Sequence, residues 1–259
     1  MIDIRPIPAF DDNYIWLISR PGYHGCAVVD PGDDDPVIER LHAEGLSLDA
    51  ILITHKHGDH VGGVDGLKAD WPKAVVYGPA GEPIRSLERR LRGGDRVELD
   101  GLGMSFSVLD VPGHTEGHIA YYGHGALFCG DTLFAGGCGR VFSGTFEQLS
   151  DSLVRIAELP ADTRVFCAHE YTLANLGFAA WVEPESTALA ARSSLDRDRR
   201  ARGEPTVPSS VAEEIATNPF MRTDQPEVIA AASAWAGRPL EGRAEVFRAL
   251  RTWKDKDYD

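Results

Sequence analysis

Short apolar runs, branched or aromatic and each closed by Gly, Pro or Asp, fill the first two thirds of the chain. Asn13 to Ser19 (NYIWLIS), Cys26 to Asp30 (CAVVD), Ala50 to Thr54 (AILIT) and Ala74 to Tyr77 (AVVY) read as strands. Ser105 to Val111, His118 to Tyr122, Ala126 to Cys129 and Arg164 to Cys167 continue the series, with turn-forming residues between them. Two segments switch to helical spacing. One is Pro36 to Glu44, after the acidic Asp33-Asp34-Asp35; the other is Phe146 to Leu159, where Leu149, Leu153, Ile156 and Leu159 recur on one face. Strands mixed with helices predict a layered α/β protein with helices packed on sheet faces.

After about Tyr171 the texture changes. Little β-type sequence remains, and the chain reads as helices broken at Pro184, Pro205, Pro208, Pro219, Pro226 and Pro239. Charge shifts at the same point: residues 1–172 hold 14 basic and 26 acidic groups, net −12, whereas residues 173–259 hold 12 and 14, net −2. The expected division is therefore a large domain over 1–172 and a small helical domain over 173–259.

Composition narrows the class. A length of 259 residues suits one large domain or two unequal ones and buries a core without disulfides. A hydrophobic fraction of 43% and a charged fraction of 25% exclude intrinsic disorder, a collagen-like fibre and a disulfide scaffold. The net charge of −14 makes nucleic acid a poor partner, because phosphate binding rests on clustered Lys and Arg. Even the short run Arg197, Arg199, Arg200 and Arg202 is interleaved with Asp196 and Asp198, which favours a solvated helix face. No apolar run approaches the roughly 18 residues of a membrane span. Met1 to Arg20 carries Asp3, Asp11 and Asp12 and lacks the apolar stretch of a secretory signal. Cys26, Cys129, Cys138 and Cys167 form no C-x-x-C pair and read as reduced thiols. The expectation is a cytoplasmic protein with a small-molecule partner, monomeric by default.

One segment carries chemistry: Thr54-His55-Lys56-His57-Gly58-Asp59-His60, directly after the apolar run AILIT. Three imidazoles and a carboxylate within six residues suit zinc or iron. With 9 histidines in 259 residues, H-x-H-x-D-H arises by chance about once in a thousand such chains. Histidines at i and i+2 of an extended segment point to the same side and can grip one ion. The adjacent Asp-His pair can turn to a second ion, so the loop can seed a two-metal site without completing it. Completing ligands are offered by His114 in PGHT, Asp131 in FCGDT and His169 in CAHE, each just past an apolar run. Asp30, in VDPGD, reads either as a partner orienting a ligand histidine or as a turn residue.

These residues resemble the metallo-β-lactamase superfamily and, more closely, its glyoxalase II (hydroxyacylglutathione hydrolase) family. The segments that carry the resemblance are IPAFDDNYIW (7–16), VDPGD (29–33), THKHGDHVGG (54–63), PGHTEGHI (112–119), FCGDTLFAGGCGR (128–140), CAHEYTLANLGFA (167–179), NPFMR (218–222) and RTWKD (251–255). The resemblance implies a four-layer αββα sandwich with a C-terminal helical domain that binds substrate. It implies a first metal on His55, His57 and His114, a second on Asp59, His60 and His169, and Asp131 bridging both. The pair would be two divalent ions, zinc first, with iron or manganese as alternatives. Glutathione would be gripped by Arg140, Tyr171, Asn175, Arg251 and Lys254. Where some members carry Lys and then Tyr after GCG, this chain has Arg140 and Phe142, and a phenylalanine donates no hydrogen bond.

The activity so implied is hydrolysis of S-(2-hydroxyacyl)glutathione, S-D-lactoylglutathione above all, by a water activated between the ions, with Asp59 and Asp131 orienting it. The rivals are a mono-iron persulfide dioxygenase of the same superfamily, another superfamily hydrolase, and a scaffold that has lost turnover. The helical tail with its RTWKD end argues against the dioxygenase, and the intact ligand positions argue against the scaffold. His118 reads as a strand residue near the site, and Cys129 and Cys138 as buried packing rather than thiolate ligands.

Overall fold

The structure is a computed structural model that describes residues 2–258. The chain divides into two compact units, one made of residues up to Asp110 together with Thr115–Gly130, the other of Val111–His114 together with the chain from Asp131 onward.

The first unit contains a six-stranded sheet in spatial order β1 (Asp3–Ala9), β2 (Asn13–Ser19), β3 (Gly25–Val29), β4 (Ser47–Leu52), β5 (Val75–Pro79), β6 (Arg89–Leu91). β1 to β3 pair antiparallel and β3 to β6 parallel. Parallel neighbours need a crossover, supplied by α1 (Asp35–Glu44) and then by α2 (Gly58–Val61) and α3 (Val64–Asp70). α1 starts with a proline in its first turn and ends on Gly45 in the left-handed conformation, φ 64°, which satisfies its last carbonyls. Leu17, Val28, Ile51 and Val76 of the sheet pack with Val37 and Leu41 of α1 and with Val64 and Leu67 of α3. β2 and β3 are buried along their whole length, as strands covered on both faces must be. The same unit holds the antiparallel meander β7 (Arg96–Leu99), β8 (Met104–Asp110), β9 (Ile119–Gly123), β10 (Ala126–Gly130). Tyr121 of β9 donates its hydroxyl to the carbonyl of Ile53 at 2.7 Å, just beyond β4.

β1 was not expected from sequence. Pro6 and Pro8 interrupt its ladder, and the strand stands at the sheet edge, where missing donors are tolerated. The segment after β4, expected as a plain loop, winds into the single turn α2.

The second unit opens with the hairpin β11 (Leu133–Phe134) and β12 (Gly137–Cys138). α4 (Phe146–Ala157) follows, begun by a reciprocal cap between Thr145 and Gln148. β13 (Arg164–Cys167) pairs with β14 (Ser209–Ser210). The remainder is α5 (Thr172–Val182), α6 (Thr187–Ala201), α7 (Val211–Thr217), α8 (Pro226–Ala236), α9 (Gly242–Trp253) and a final π-turn, Lys254–Tyr258. The helical reading of the tail holds, with one refinement: Pro219 and Pro226 open their helical segments rather than break them, since a first-turn proline has no helical amide partner to lose. No helix among the described residues is long and apolar enough to cross a membrane.

Candidate metal centre

The ligand loop is launched from the end of β4 by Asp30. Its carboxylate accepts from the amide of Thr54 at 2.8 Å and from the Thr54 hydroxyl at 2.7 Å. Oδ2 of the same carboxylate lies 3.1 Å from Nδ1 of His60. Asp30 is thus the orienting partner, held in a left-handed conformation at φ 53°. Thr54 Oγ1 stands 3.1 Å from Nδ1 of His55, and Nε2 of His55 stands 3.1 Å from Nδ1 of His57. α2 carries Asp59 and His60, with the His55 and His60 ring centroids 4.1 Å apart. Asn13, at the start of β2, donates its side-chain amide to Asp59 Oδ2 at 3.2 Å.

In the second unit, the carbonyl of Arg140 sits 2.7 Å from Nδ1 of His114, so that ring presents Nε2 to the site. Asp131 follows directly on β10 and is 6% exposed. Its Oδ2 lies 3.5 Å from Nε2 of His114 and its Oδ1 3.4 Å from Nε2 of His169. The His169 ring stacks on Tyr171, centroids 4.6 Å apart and planes 7° from parallel.

Two ligand groups result. His55, His57, His114 and Asp131 offer donor atoms that all lie within 4.8 Å of one another, as do Asp59, His60 and His169. The donor set fits divalent metal: imidazoles and carboxylates, largely buried, with one carboxylate whose two oxygens each face a histidine of a different group. Every residue expected as a ligand is in one of these groups. His118 is in neither; it stacks on His55 with centroids 4.6 Å apart. Cys138 is 3% exposed, and burial pushes its thiol up to about 11, which fits packing rather than ligation.

The five residues expected at glutathione fall into two kinds. Arg140 keeps 54% of its side chain exposed, with Nε 3.5 Å from Asp255, and Tyr171 is 38% exposed. Asn175, Arg251 and Lys254 are buried at 3%, 1% and 5%. Asn175 gives its amide to the carbonyl of Ala135 at 3.1 Å. Arg251 binds the carbonyl of Cys138 at 3.0 Å and Asp255 at 2.8 Å. Lys254 places its ammonium 5.7 Å from the centre of the Tyr258 ring.

Sequence reasoning gave no role to Asn13 or to Glu82. Glu82 is buried, accepts from the amide of Gly117 at 2.9 Å, and lies 3.6 Å from Lys56 of the ligand loop. Neither stands in a metal-type pattern, so only their partners across the fold disclose them.

The metallo-β-lactamase superfamily profile matches residues 9–169, and the profile of the hydroxyacylglutathione hydrolase C-terminus matches residues 170–257. Among solved structures, that of ETHE1 from Myxococcus xanthus shares the fold at a TM-score of 0.65 and 23% identity, over 98% of this chain and 97% of that one. Fold and ligand groups thus define a metallo-β-lactamase-type metal protein of mixed sheets and helices. The hydroxyacylglutathione hydrolase of Pseudomonas fluorescens is 53% identical over 99% of this chain and all of its own length. That of Alkalilimnicola ehrlichii is 55% identical over 99% of this chain and all of its own length. The chain belongs to the hydroxyacylglutathione hydrolase (glyoxalase II) family.

Proposed function

We propose that this chain is a binuclear metal-dependent thioesterase that cleaves S-(2-hydroxyacyl)glutathione, with S-D-lactoylglutathione as the main substrate, to glutathione and a 2-hydroxy acid. That reaction is the second step of methylglyoxal detoxification. The observation that carries the reading is Asp131, whose two carboxylate oxygens face His114 and His169, one histidine from each ligand group. His55, His57 and His114 would hold the first ion and Asp59, His60 and His169 the second, with Asp131 available to either. Zinc is the metal of choice for this set, with iron and manganese as alternatives.

A pair of divalent ions held there would supply Lewis acidity, lowering the pKa of a bound water toward about 7 and polarising the thioester carbonyl. The chain's own groups do the rest. Asp59 and Asp131 offer carboxylate oxygens that orient the attacking water and hold its proton. Asp30, Asn13 and the Arg140 carbonyl keep the ligand side chains in place, so little reorganisation accompanies reaction. A glutathione thiolate, with an ordinary thiol pKa of about 8.5, leaves without a dedicated general acid. Arg140 and Tyr171, the two partly exposed members of the expected substrate set, meet the peptide; Arg140 pairs with its carboxylate. Asn175, Arg251 and Lys254 support the same region from within. The catalytic domain is residues 1–172 and the substrate-binding helical domain 173–259. The buried, reduced cysteines suit a cytoplasmic setting.

The test is hydrolysis of S-D-lactoylglutathione by the purified chain, with bound metal counted on the same sample. Turnover that vanishes on chelation, with about two ions per chain, is expected. Two ions without turnover would refute the substrate; one iron without turnover would favour an oxygenase.

A further inference from the structure

The hairpin that follows Asp131 is held from outside. Its strands, Leu133–Phe134 and Gly137–Cys138, are two residues each, too short to fix their own geometry. Instead, each of the five residues Phe134–Cys138 gives a backbone group to a side chain of the helical tail. Asn218, just past α7, donates to the carbonyls of Phe134 at 3.4 Å and Gly137 at 2.9 Å. Asn175 of α5 donates to the carbonyl of Ala135 at 3.1 Å. The amide of Gly136 donates to Glu214 of α7 at 2.8 Å. Arg251 of α9 donates to the carbonyl of Cys138 at 3.0 Å.

All four side chains are buried, at 0% for Asn218, 3% for Asn175, 0% for Glu214 and 1% for Arg251. Glu214 is itself fixed by Arg192 at 2.7 Å and by the Asn218 amide at 3.0 Å. Packing leaves no slack: a Cβ on Gly137 would meet the Asn175 amide at 2.5 Å, and one on Gly139 would meet the Asp131 carbonyl at 2.0 Å. Buried charge is a poor way to gain stability, since desolvation offsets the attraction. Here the buried charge of Glu214 is taken up by the Gly136 amide and by Arg192.

The ends of this hairpin bear two groups of the metal centre. Asp131 stands two residues before Leu133, and Arg140, whose carbonyl orients His114, stands two residues after Cys138. We propose that Asn175, Glu214, Asn218 and Arg251 are positioning residues that clamp the Phe134–Cys138 backbone and so set Asp131 and His114 at ligand geometry. The helical tail then helps build the metal centre as well as meeting substrate. This rests on the metal-hydrolase reading above.

The test uses the full chain in three variants: Glu214→Gln, Asn175→Ala, and Leu41→Ala as a control that removes a buried side chain of α1. Amide hydrogen exchange over residues 132–139 is expected to quicken at least about tenfold in the first two, with β2 and β3 unchanged. Loss of bound metal to excess chelator is expected to quicken by a similar factor of about ten. Leu41→Ala should leave both readouts at wild-type values although its Tm falls. Should Glu214→Gln fail to fold, Asn175→Ala decides alone, having lost a single hydrogen bond. Hairpin exchange or metal retention in the variants no different from Leu41→Ala overturns the proposal. So does an Asn175→Ala enzyme with raised KM and normal metal retention, the mark of a direct substrate contact. Failure of the hydrolase reading itself is recognised separately, by a wild-type chain that holds no metal.

Discussion

Oδ2 of Asp30 lies 3.1 Å from Nδ1 of His60 while the same carboxylate takes the Thr54 amide at 2.8 Å and hydroxyl at 2.7 Å. One buried acid therefore fixes both the point where the ligand loop leaves β4 and the ring of a ligand within it. Its left-handed backbone costs of order 1 kcal/mol, which the three contacts offset. Asp30→Ala is expected to weaken metal binding by roughly 10–100-fold. Asp30→Asn, which keeps an acceptor for Thr54, should fall between that variant and wild type. Metal content after dialysis against graded chelator measures it, and wild-type retention by Asp30→Ala would refute it.

Two glycines near the loop are expected to respond in opposite ways. Gly32 lies outside the motif, yet a Cβ there would meet the carbonyl oxygen of Asp59 at 2.0 Å. Backbone must move to admit it, and the backbone that moves carries Asp59, a proposed ligand. Gly58 lies inside the motif at the exposed start of α2, and a Cβ there meets nothing within 4 Å. Gly32→Ala should cost about 2 kcal/mol or more and release metal. Gly58→Ala should be neutral or stabilising by up to about 1 kcal/mol. Urea unfolding of the two variants beside wild type checks both signs.

That contrast shows what the sequence could disclose and what it could not. The H-x-H-x-D-H loop stood out because three imidazoles and a carboxylate so close together are rare, whereas His114, Asp131 and His169 carried little weight singly and rested on the family resemblance; all seven fall in the two groups of metal-type side chains. β2 to β5 of the first sheet were legible from their branched runs; β1 was disguised by Pro6 and Pro8, and the three-residue β6, Arg89–Leu91, is too short and too polar to show a pattern. What orients the ligands was not legible. Asn13 and Glu82 are ordinary polar residues until the fold brings Asp59 to one and Gly117 to the other. Arg140 drew notice for its guanidinium, whereas its backbone carbonyl is what holds His114. No residue-type pattern encodes a carbonyl.

If glutathione meets this chain as proposed, Phe142 stands where a hydrogen-bond donor would help. Its ring stands edge-on to His114, centroids 5.2 Å apart, and 65% of the residue is exposed. Phe142→Tyr adds a hydroxyl donor to this exposed ring without disturbing the core. KM for S-D-lactoylglutathione is expected to fall about threefold, the worth of one modest hydrogen bond, with kcat within twofold of wild type. Steady-state kinetics of the two enzymes decide the matter; an unchanged KM would place the peptide elsewhere.

The buried thiols predict the alkaline limit of the fold. Burial pushes the thiols of Cys26 and Cys167 up to about 12 and that of Cys138 up to about 11, against an ordinary 9.0. Between pH 9 and those values the unfolded chain has lost protons that the native chain retains. The native state then binds more protons, so stability is complete below pH 9 and declines as pH rises through the window. Each thiol contributes a slope of at most about 1.4 kcal/mol per pH unit. Cys26 donates only a weak bond, 3.4 Å to the carbonyl of Ser47, so Cys26→Ala removes one titrating group with little other change. Urea unfolding at pH 8, 9, 10 and 11 should show the variant losing stability less steeply than wild type above pH 9. Parallel curves for the two proteins would mean that the Cys26 thiol ionises as readily inside the fold as outside it.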